Sequence, residues 1–358
     1  MALTKVKGVG PEGARTLIAA CGGAQAAFES SQKELASLPG LGPVTAGNIK
    51  RFDDFASIEK ELEFISNHQI KALTFADKEY PARLKDLSNA PAVIFFKGSV
   101  DLNFKRIIGI VGTRRVSEYG KGLVRELVED LKAYDVLTVS GMAYGVDILC
   151  HRKSLENNIP TIGVLAHGLD MIYPSAHTAT ARNMVKMGGL MTEHLSATAM
   201  RKEYFPRRNR LVAGLVDALV VVESPARGGS LITAEIAHSY NRDVLAFPGK
   251  TTDDKSAGCN ALIKKQKAQL IESASDLAWC MGWPSPDQQS NQNSKLEQLH
   301  GVEKRIYIYL RDKTDQKSNL DTMCGELEIA QTELSLLLLN MEFNGFVRSL
   351  PGNSYKAD

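Results

Sequence analysis

The sequence predicts an α/β protein in which a doubly wound domain lies between a helical N-terminal domain and a winged-helix C-terminal domain. Over residues 105–272, apolar runs such as I-I-G-I-V and A-L-V-V-V alternate with amphipathic segments. Short β-branched runs of this kind are typical of strands buried on both faces of a parallel sheet. Glycine-rich repeats precede this region and a polar, proline-containing segment follows it, which places domain boundaries near residues 70 and 284.

Residues 1–70 are expected to form short helices joined by glycine turns. The segments K-G-V-G-P-E-G-A (Lys7–Ala14) and P-G-L-G-P-V-T-A (Pro39–Ala46) both place Gly-apolar-Gly before a helix start. In the helix-hairpin-helix motif, such a turn directs free N–H groups at a DNA phosphate. A compact turn between packed helices explains the pattern equally well, because only the second copy has basic residues, Lys50 and Arg51, nearby.

The α/β domain, residues 71–283, is predicted to contain six strands connected by amphipathic helices. The predicted strands are Arg106–Gly112, Val136–Ser140, Thr161–Ala166, Gly189–Thr192, Asp217–Glu223 and Asp243–Phe247. The predicted helices include Gly120–Ala133, Tyr144–Asn157, Arg207–Leu215 and Ser230–Tyr240. Because ligands of open parallel sheets bind at the carboxyl ends of the strands, the loops there are expected to converge on one groove.

Residues 284–300 are polar and are predicted to be a flexible linker to a separate domain, residues 301–358. Three helices followed by the two-stranded wing G-F-V-R-S-L-P-G-N-S-Y-K are typical of a winged helix-turn-helix. Its third helix, Thr332–Asn344, carries Glu333 and Glu342 and has no basic side chain. Because acidic side chains repel phosphate, the sequence favours contact with a protein over contact with duplex DNA.

Composition limits the classes of partner and compartment. The chain carries 43 Lys and Arg against 41 Asp and Glu, so a polyanion must be met by a local basic patch. The five cysteines are scattered without metal-ligand spacing, which predicts no disulfide framework, no metal site and a reducing cytoplasm. No apolar run reaches the roughly 20 residues of a membrane span, and no cofactor motif occurs, so neither a membrane nor a cofactor is expected.

Two glycine turns at predicted strand ends are candidate phosphate sites. They lie in G-I-V-G-T-R-R and S-P-A-R-G-G-S, and their candidate residues are Gly112, Thr113, Arg114, Gly228, Gly229 and Ser230. Backbone N–H groups and a bidentate guanidinium suit an anion in the first turn, whereas the second turn could equally be a helix N-cap. The first turn is not G-x-G-x-x-G, and the next strand ends at Ser140 and not at an acid, which disfavours a dinucleotide cofactor.

A candidate catalytic pair lies on the helix that S-G-M-A-Y-G-V-D opens. Asp147 and His151 are one turn apart on the same helix face. Without a nucleophile nearby, such a pair more often orients a buried imidazole than performs catalysis. We therefore predict a structural role for the pair.

The most informative segment is F-P-R-R-N-R, residues 205–210, which contains no acidic residue. Its candidate binding residues are Phe205, Arg207, Arg208, Asn209 and Arg210. A solvated helix face normally mixes charges, whereas guanidinium groups match phosphates and stack on bases. Phe205, with Tyr204 beside it, offers a stacking surface, and this combination is typical of proteins that hold single strands without reading their sequence.

These motifs, in order over residues 75–272, closely resemble the DNA-processing protein A family, DprA or Smf. The resemblance also rests on Tyr80–Pro81, Ala90–Pro91, Gly168–Pro174, Phe247–Gly249 and Gly258–Ile263. It implies an extended Rossmann-like domain with a helix-hairpin-helix (SAM-like) N-terminal domain and a winged-helix C-terminal domain. It assigns phosphate and DNA contacts to Gly112, Thr113, Arg114, Phe205, Arg208, Asn209 and Arg210.

The same resemblance implies a bacterial cytoplasmic protein that is not an enzyme. Such a protein binds and protects incoming single-stranded DNA, forms a homodimer, and loads the RecA recombinase during natural transformation. The alternative is a nucleotide-releasing phosphoribohydrolase of the lysine-decarboxylase-like group, which uses P-G-G-x-G-T-x-x-E. Here R-G-G-S-L-I-T-A-E retains Glu235 but has Leu231 in place of the second turn glycine, so the catalytic carboxylate would be misregistered.

Overall fold

The computed structural model describes residues 1–285, 296–313 and 317–357. The chain divides into two compact units, Met1–Met281 and Gly282–Asp358. Most of the predicted linker, residues 286–295, lies outside the described residues. Among the described residues, no helix combines the length and the hydropathy that crossing a bilayer requires.

Six helices open the first unit: α1 (Ala2–Lys5), α2 (Pro11–Cys21), α3 (Ala24–Glu29), α4 (Gln32–Ala36), α5 (Pro43–Lys50) and α6 (Phe55–Asn67). The two glycine repeats lie at the starts of α2 and α5, where Gly10 and Gly42 are the N-caps and a proline follows each. Proline suits this position because its missing N–H would have no partner in the helix. The apolar faces of the helices form a core that includes Leu17, Leu35 and Ile49.

A mixed sheet and its covering helices make up the rest of this unit. The strands are β1 (Lys71–Thr74), β2 (Val93–Gly98), β3 (Ile107–Val111), β4 (Leu137–Ser140), β5 (Thr161–Val164), β6 (Gly189–Thr192), β7 (Ala218–Val221), β8 (Asp243–Ala246) and β9 (Gln269–Leu270). The helices are α7 (Ala82–Lys85), α8 (Glu118–Leu131), α9 (Val146–Glu156), α10 (Thr178–Met187), α11 (Tyr204–Leu215), α12 (Gly229–Ser239), α13 (Ala257–Lys264) and α14 (Ala274–Cys280).

The strand order is β1-β2-β6-β5-β4-β3-β7-β8-β9. Strands β3 to β9 pair in parallel, as predicted, but β2 pairs antiparallel with both β1 and β6. The parallel sheet predicted for residues 105–272 is thus extended at one edge by an antiparallel pair that was not predicted, in which β1 and β2 are neighbours joined without a long crossover helix. The chain fills one side of β3 with β4 to β6 and then returns to β7 on the other side, so β3 is the switch point where ligands bind in such sheets.

The second unit contains α15 (Gly301–Asp312), β10 (Lys317–Asn319), α16 (Leu320–Leu327), α17 (Gln331–Phe343), β11 (Val347–Leu350) and β12 (Ser354–Ala357). Its strands form an antiparallel sheet in the order β10-β12-β11, and β10 was not expected from the sequence. Ile306, Tyr307, Leu334 and Leu338 are fully buried in its core. The three helices and the hairpin lie where predicted, and the winged-helix assignment itself stays a prediction.

Candidate functional site

The loops after β3, β4 and β7 meet at the carboxyl edge of the sheet, as the sequence predicts. The Thr113 N–H donates to Glu223 O at 2.8 Å, and the Val146 N–H donates to Thr113 O at 3.2 Å. Gly145 has φ +81°, and a Cβ on it would lie 2.2 Å from Thr113 O. Only glycine permits this approach of the β4 loop to the β3 loop. The Thr113 N–H is engaged by the Glu223 carbonyl, and the assignment of Gly112, Thr113 and Arg114 to a phosphate stays a prediction.

Arg114 and Arg115 project from this junction and are exposed. The turn behind them is fixed by Glu223, 1% exposed, which accepts hydrogen bonds from the Ser117 N–H at 2.9 Å and from the Ser117 hydroxyl. Ser117 also caps α8 by accepting from the Gly120 N–H at 3.1 Å. A buried carboxylate thus holds the loop that presents two exposed guanidinium groups at the switch point.

Arg208 lies inside the protein and not on its surface. It is 6% exposed and donates from Nη1 to Val164 O at the end of β5. It also packs on Gly141 after β4, where a Cβ would lie 2.3 Å from the guanidinium. Burial raises the pKa of the nearby Asp147 carboxyl, and the Arg208 charge opposes this shift. Arg208 was predicted to contact phosphate, but it is buried inside the protein. The sequence motif could not indicate this, because the Asp147 carboxyl and the Val164 carbonyl come from other elements.

Arg210 is also engaged within the protein. It donates to Asn89 O at 2.7 Å and forms an ion pair with Glu193, whose side chain is 15% exposed. Burial raises the pKa of Glu193, and Arg210 opposes the shift. Arg207, by contrast, is exposed. Asn209 is partly buried and accepts from Arg208 Nε at 3.3 Å.

Aromatic side chains surround the start of α11. The Phe205 ring is partly buried and meets Tyr173 nearly edge to face, with centroids 6.2 Å apart. Tyr204 stacks on His194 at 4.4 Å and is partly buried. Tyr144, after β4, and Tyr173, after β5, are 52% and 47% exposed. These two tyrosines were not predicted as site residues, although they lie within two of the motifs that carried the family resemblance.

The glycine turn after β7 is built as a helix start. Gly228 is the N-cap of α12, Gly229 is exposed, and the Ser230 hydroxyl is buried and donates to Ser224 Oγ at 2.9 Å. The Ser230 side chain therefore stabilises its own turn. The helix-cap interpretation accounts for these contacts.

The residues considered for catalysis have structural contacts. His151 is fully buried, donates from Nε2 to Gly141 O at 2.7 Å and has Thr161 Oγ1 at 2.7 Å from Nδ1. Burial lowers the pKa of His151 to about 4, so its ring is neutral at pH 7. Asp147 interacts with Arg208 and is not a partner of either ring nitrogen. Glu235 is exposed and forms an ion pair with Lys267 at 2.7 Å.

Comparison with known proteins agrees with this architecture. Residues 71–282 match the family model described as DNA recombination-mediator protein A, and residues 1–52 match that of a SAM-like helix-hairpin-helix tandem. DNA processing protein DprA of Bacillus subtilis is 40% identical over 209 residues, which cover 58% of this chain and 70% of that protein.

Solved structures of family members resemble the chain as well. The structure of DprA from Streptococcus pneumoniae has a TM-score of 0.68 and 30% identity, covering 77% of this chain and 94% of that one. The structure of DprA from Helicobacter pylori, described for its single-stranded DNA binding mode, has a TM-score of 0.54 and 26% identity. It covers 60% of this chain and 95% of the other.

Proposed function

The chain belongs to the DNA recombination-mediator protein A family, DprA or Smf, and on this premise we propose that it binds single-stranded DNA along the carboxyl edge of the sheet. The observation that carries the proposal is that exposed guanidinium groups, Arg114 and Arg207, and the Phe205–Tyr173 ring pair lie on the loops and the helix start at this one edge. The single-stranded DNA binding described for the H. pylori relative supports it.

The role that we propose for each site residue depends on how exposed its side chain is. Arg114 and Arg207 are exposed and are the groups suited to phosphate oxygens, with Gly112 and Thr113 shaping the turn. Phe205 provides the face on which an unpaired base stacks. Arg208 and Arg210 hold the start of α11 against the ends of β5 and β6, and Asn209 accepts from Arg208, so we propose that these three residues contribute to binding through position.

We further propose that the bound strand is passed to the RecA recombinase during natural transformation, as the family resemblance implies. A homodimer is supported by edge strand β9, where Leu270 is 49% exposed, and by Trp279 of α14, which is 81% exposed. Edge strands with exposed apolar side chains are suited to pairing with a second copy. The resemblance and the scattered cysteines support a cytoplasmic location.

We also propose that residues 301–357 form a winged-helix domain that contacts a protein. Its third helix, α17, exposes Leu336, Leu339 and Phe343. These residues recur at helical spacing on the exposed face of α17, where a protein that binds duplex DNA would carry basic and polar groups. The apolar face therefore supports protein contact.

A non-enzymatic role is favoured over the phosphoribohydrolase alternative. That reaction would need Glu235 directed at a bound nucleotide, whereas Glu235 lies on the surface of α12 beside Lys267. Incubation with nucleoside monophosphates is expected to release no free base. Release of base that stops in Glu235→Gln would support the alternative.

The experiment that tests the main proposal is a titration of labelled single-stranded and duplex oligonucleotides with wild type and Phe205→Ala. A stacked base is worth about 1–3 kcal/mol and is available only where bases are unpaired. Phe205→Ala should therefore narrow the gap in affinity between single strand and duplex. Equal losses on both substrates would refute the stacking role, and absence of single-strand binding by wild type would refute the proposed function.

A further inference from the structure

Tyr144 is an exposed aromatic residue beside the proposed DNA site that the family motifs leave without a role. It follows β4, whereas Tyr173 follows the adjacent strand β5. Arg208 of α11 contacts the ends of both strands, at Gly141 and at Val164. Tyr144 therefore lies on the same edge as the Phe205–Tyr173 pair.

The Tyr144 ring is supported from inside the protein. His177, 2% exposed, meets it nearly edge to face, with centroids 4.9 Å apart and an interplanar angle of 73°. The His177 ring is fixed in turn by donation from Nδ1 to Met142 O at 2.8 Å. Burial lowers the pKa of His177, so the support is a neutral aromatic ring at pH 7. Tyr144 is thus held on one side, while about half of its surface faces water.

The backbone of an arginine lies next to the residue that follows Tyr144. The β3 loop packs on Gly145, the residue after Tyr144, and a Cβ on Gly145 would lie 2.7 Å from Arg114 Cα. Arg114 is exposed. Tyr144 and Arg114 therefore lie on adjoining loops, and an exposed ring together with an exposed guanidinium is the combination that holds a base and its phosphate in single-strand binders.

Tyr144 has its own aromatic support and does not share that of Phe205. Phe205 contacts Tyr173, and Tyr144 contacts His177. Two separately supported rings can each receive one base face.

We propose that Tyr144 forms a second base-stacking position, which holds an unpaired base of single-stranded DNA separate from the base at Phe205. The neighbouring phosphate is held by Arg114. This inference rests on the proposed function and extends it, since it makes the site at least two bases long.

The test uses the full chain with Tyr144→Ala, Tyr144→Leu and Tyr144→Phe. Each variant is titrated with an oligothymidylate and with an abasic oligomer of equal length. Alanine and leucine should weaken oligothymidylate binding roughly 5- to 150-fold, the equivalent of one stacked base, while phenylalanine should retain it. Binding of the abasic oligomer should not change, because it offers phosphates without bases.

The outcomes separate this inference from the proposed function. If wild type does not bind oligothymidylate, the proposed function fails. If wild type binds and the alanine and leucine variants bind equally well, or lose equally on the abasic oligomer, the second stacking position is refuted. Combining Tyr144→Ala with Phe205→Ala should multiply the two losses, because independent positions add in free energy. A combined loss no larger than either single loss would show one shared base and overturn the proposal.

Discussion

The four arginines of the candidate site differ in what surrounds each guanidinium, although they look alike in the sequence. Arg114 and Arg207 are exposed, whereas Arg208 bonds Val164 O and Arg210 pairs with Glu193. The partner of Arg208 lies in β5 and that of Arg210 in the loop after β6, so the local sequence motif could not indicate either partner. Predicting the basic cluster was possible from sequence, but deciding which cations face solvent required the tertiary contacts.

The exposed cations should carry the salt dependence of binding. Removing one cation that neutralises a phosphate of a single strand should reduce the slope of log affinity against log salt by about 0.7. We expect this reduction in Arg114→Ala and in Arg207→Ala, measured by titration at several salt concentrations. Lys132→Ala, an exposed cation that precedes β4 and therefore lies toward the opposite edge of the sheet, is a control for a general change in charge. Unchanged slopes in both arginine variants would place the phosphates elsewhere.

The buried cation should control stability. Arg208→Ala removes the hydrogen bond to Val164 O and the larger of the two positive charges, Arg208 and Arg114, that favour the ionised Asp147 carboxyl. Breaking a buried charge interaction of this kind should lower the free energy of unfolding by about 3 kcal/mol. Denaturant unfolding measures the decrease, and the exposed neighbour Arg207→Ala is the matched control.

A second substitution tests the cause of that destabilisation. Asp147→Asn in the Arg208→Ala background removes the uncompensated carboxylate and should recover part of the stability. If Arg208→Ala unfolds at the same denaturant concentration as Arg207→Ala, the guanidinium is not a structural cation.

At the scale of elements, the helical region supports the loop that leads to the site. Glu61 of α6 is 6% exposed and accepts from the Ser196 N–H at 2.9 and 3.1 Å and from its hydroxyl. Ser196 lies in the connection between β6 and α11, which carries Phe205. One buried carboxylate therefore fixes the segment that positions the stacking residue.

Removing this carboxylate should weaken binding without removing a phosphate contact. We expect Glu61→Gln to lower single-strand affinity several-fold while the salt slope stays that of wild type, since an amide is a weaker acceptor than a carboxylate. Glu63→Gln, exposed on the same helix, is the control. A reduced slope in Glu61→Gln, or equal affinities in both variants, would contradict a positioning role.

The elements of the α/β domain were largely predictable because buried strands have a strong local signal. All six predicted strands occur, and Arg106–Gly112 corresponds to β3 at Ile107–Val111. The antiparallel pair β1 and β2 was missed, because V-I-F-F-K-G shows an apolar run but not the direction in which it pairs. Strand direction depends on partners distant in sequence, which local patterns do not contain.

At the scale of the whole molecule, the two units differ from the domains that the sequence suggests. A boundary at residue 70 separates helices from sheet, yet Arg15 of α2 donates to Leu87 O at 2.8 Å and to Lys85 O at 3.1 Å. Ala92, next to β2, belongs to the core of the helical region. The family match begins at residue 71, and the packing joins the parts of the chain on either side of that residue.

This packing predicts how truncations should behave. A fragment of residues 1–285 retains the whole first unit with Arg114, Tyr144, Phe205 and Arg207, so it should bind single strands with the affinity and salt slope of the full chain. A fragment of residues 71–285 lacks Arg15 and the Glu61 carboxylate that Ser196 bonds, and it exposes Ala92. It should therefore bind more weakly and unfold at a lower denaturant concentration.

Titration and denaturant unfolding of both fragments against the full chain decide between these expectations. Loss of binding by a folded 1–285 fragment would assign part of the DNA site to the C-terminal unit. Full affinity and stability of the 71–285 fragment would show that the helical region does not position the loop after β6. If only the longer fragment binds, the helices are a structural part of the site. The shorter fragment lacks the contacts that the Glu61 carboxylate and the Arg15 guanidinium make with the rest of the unit.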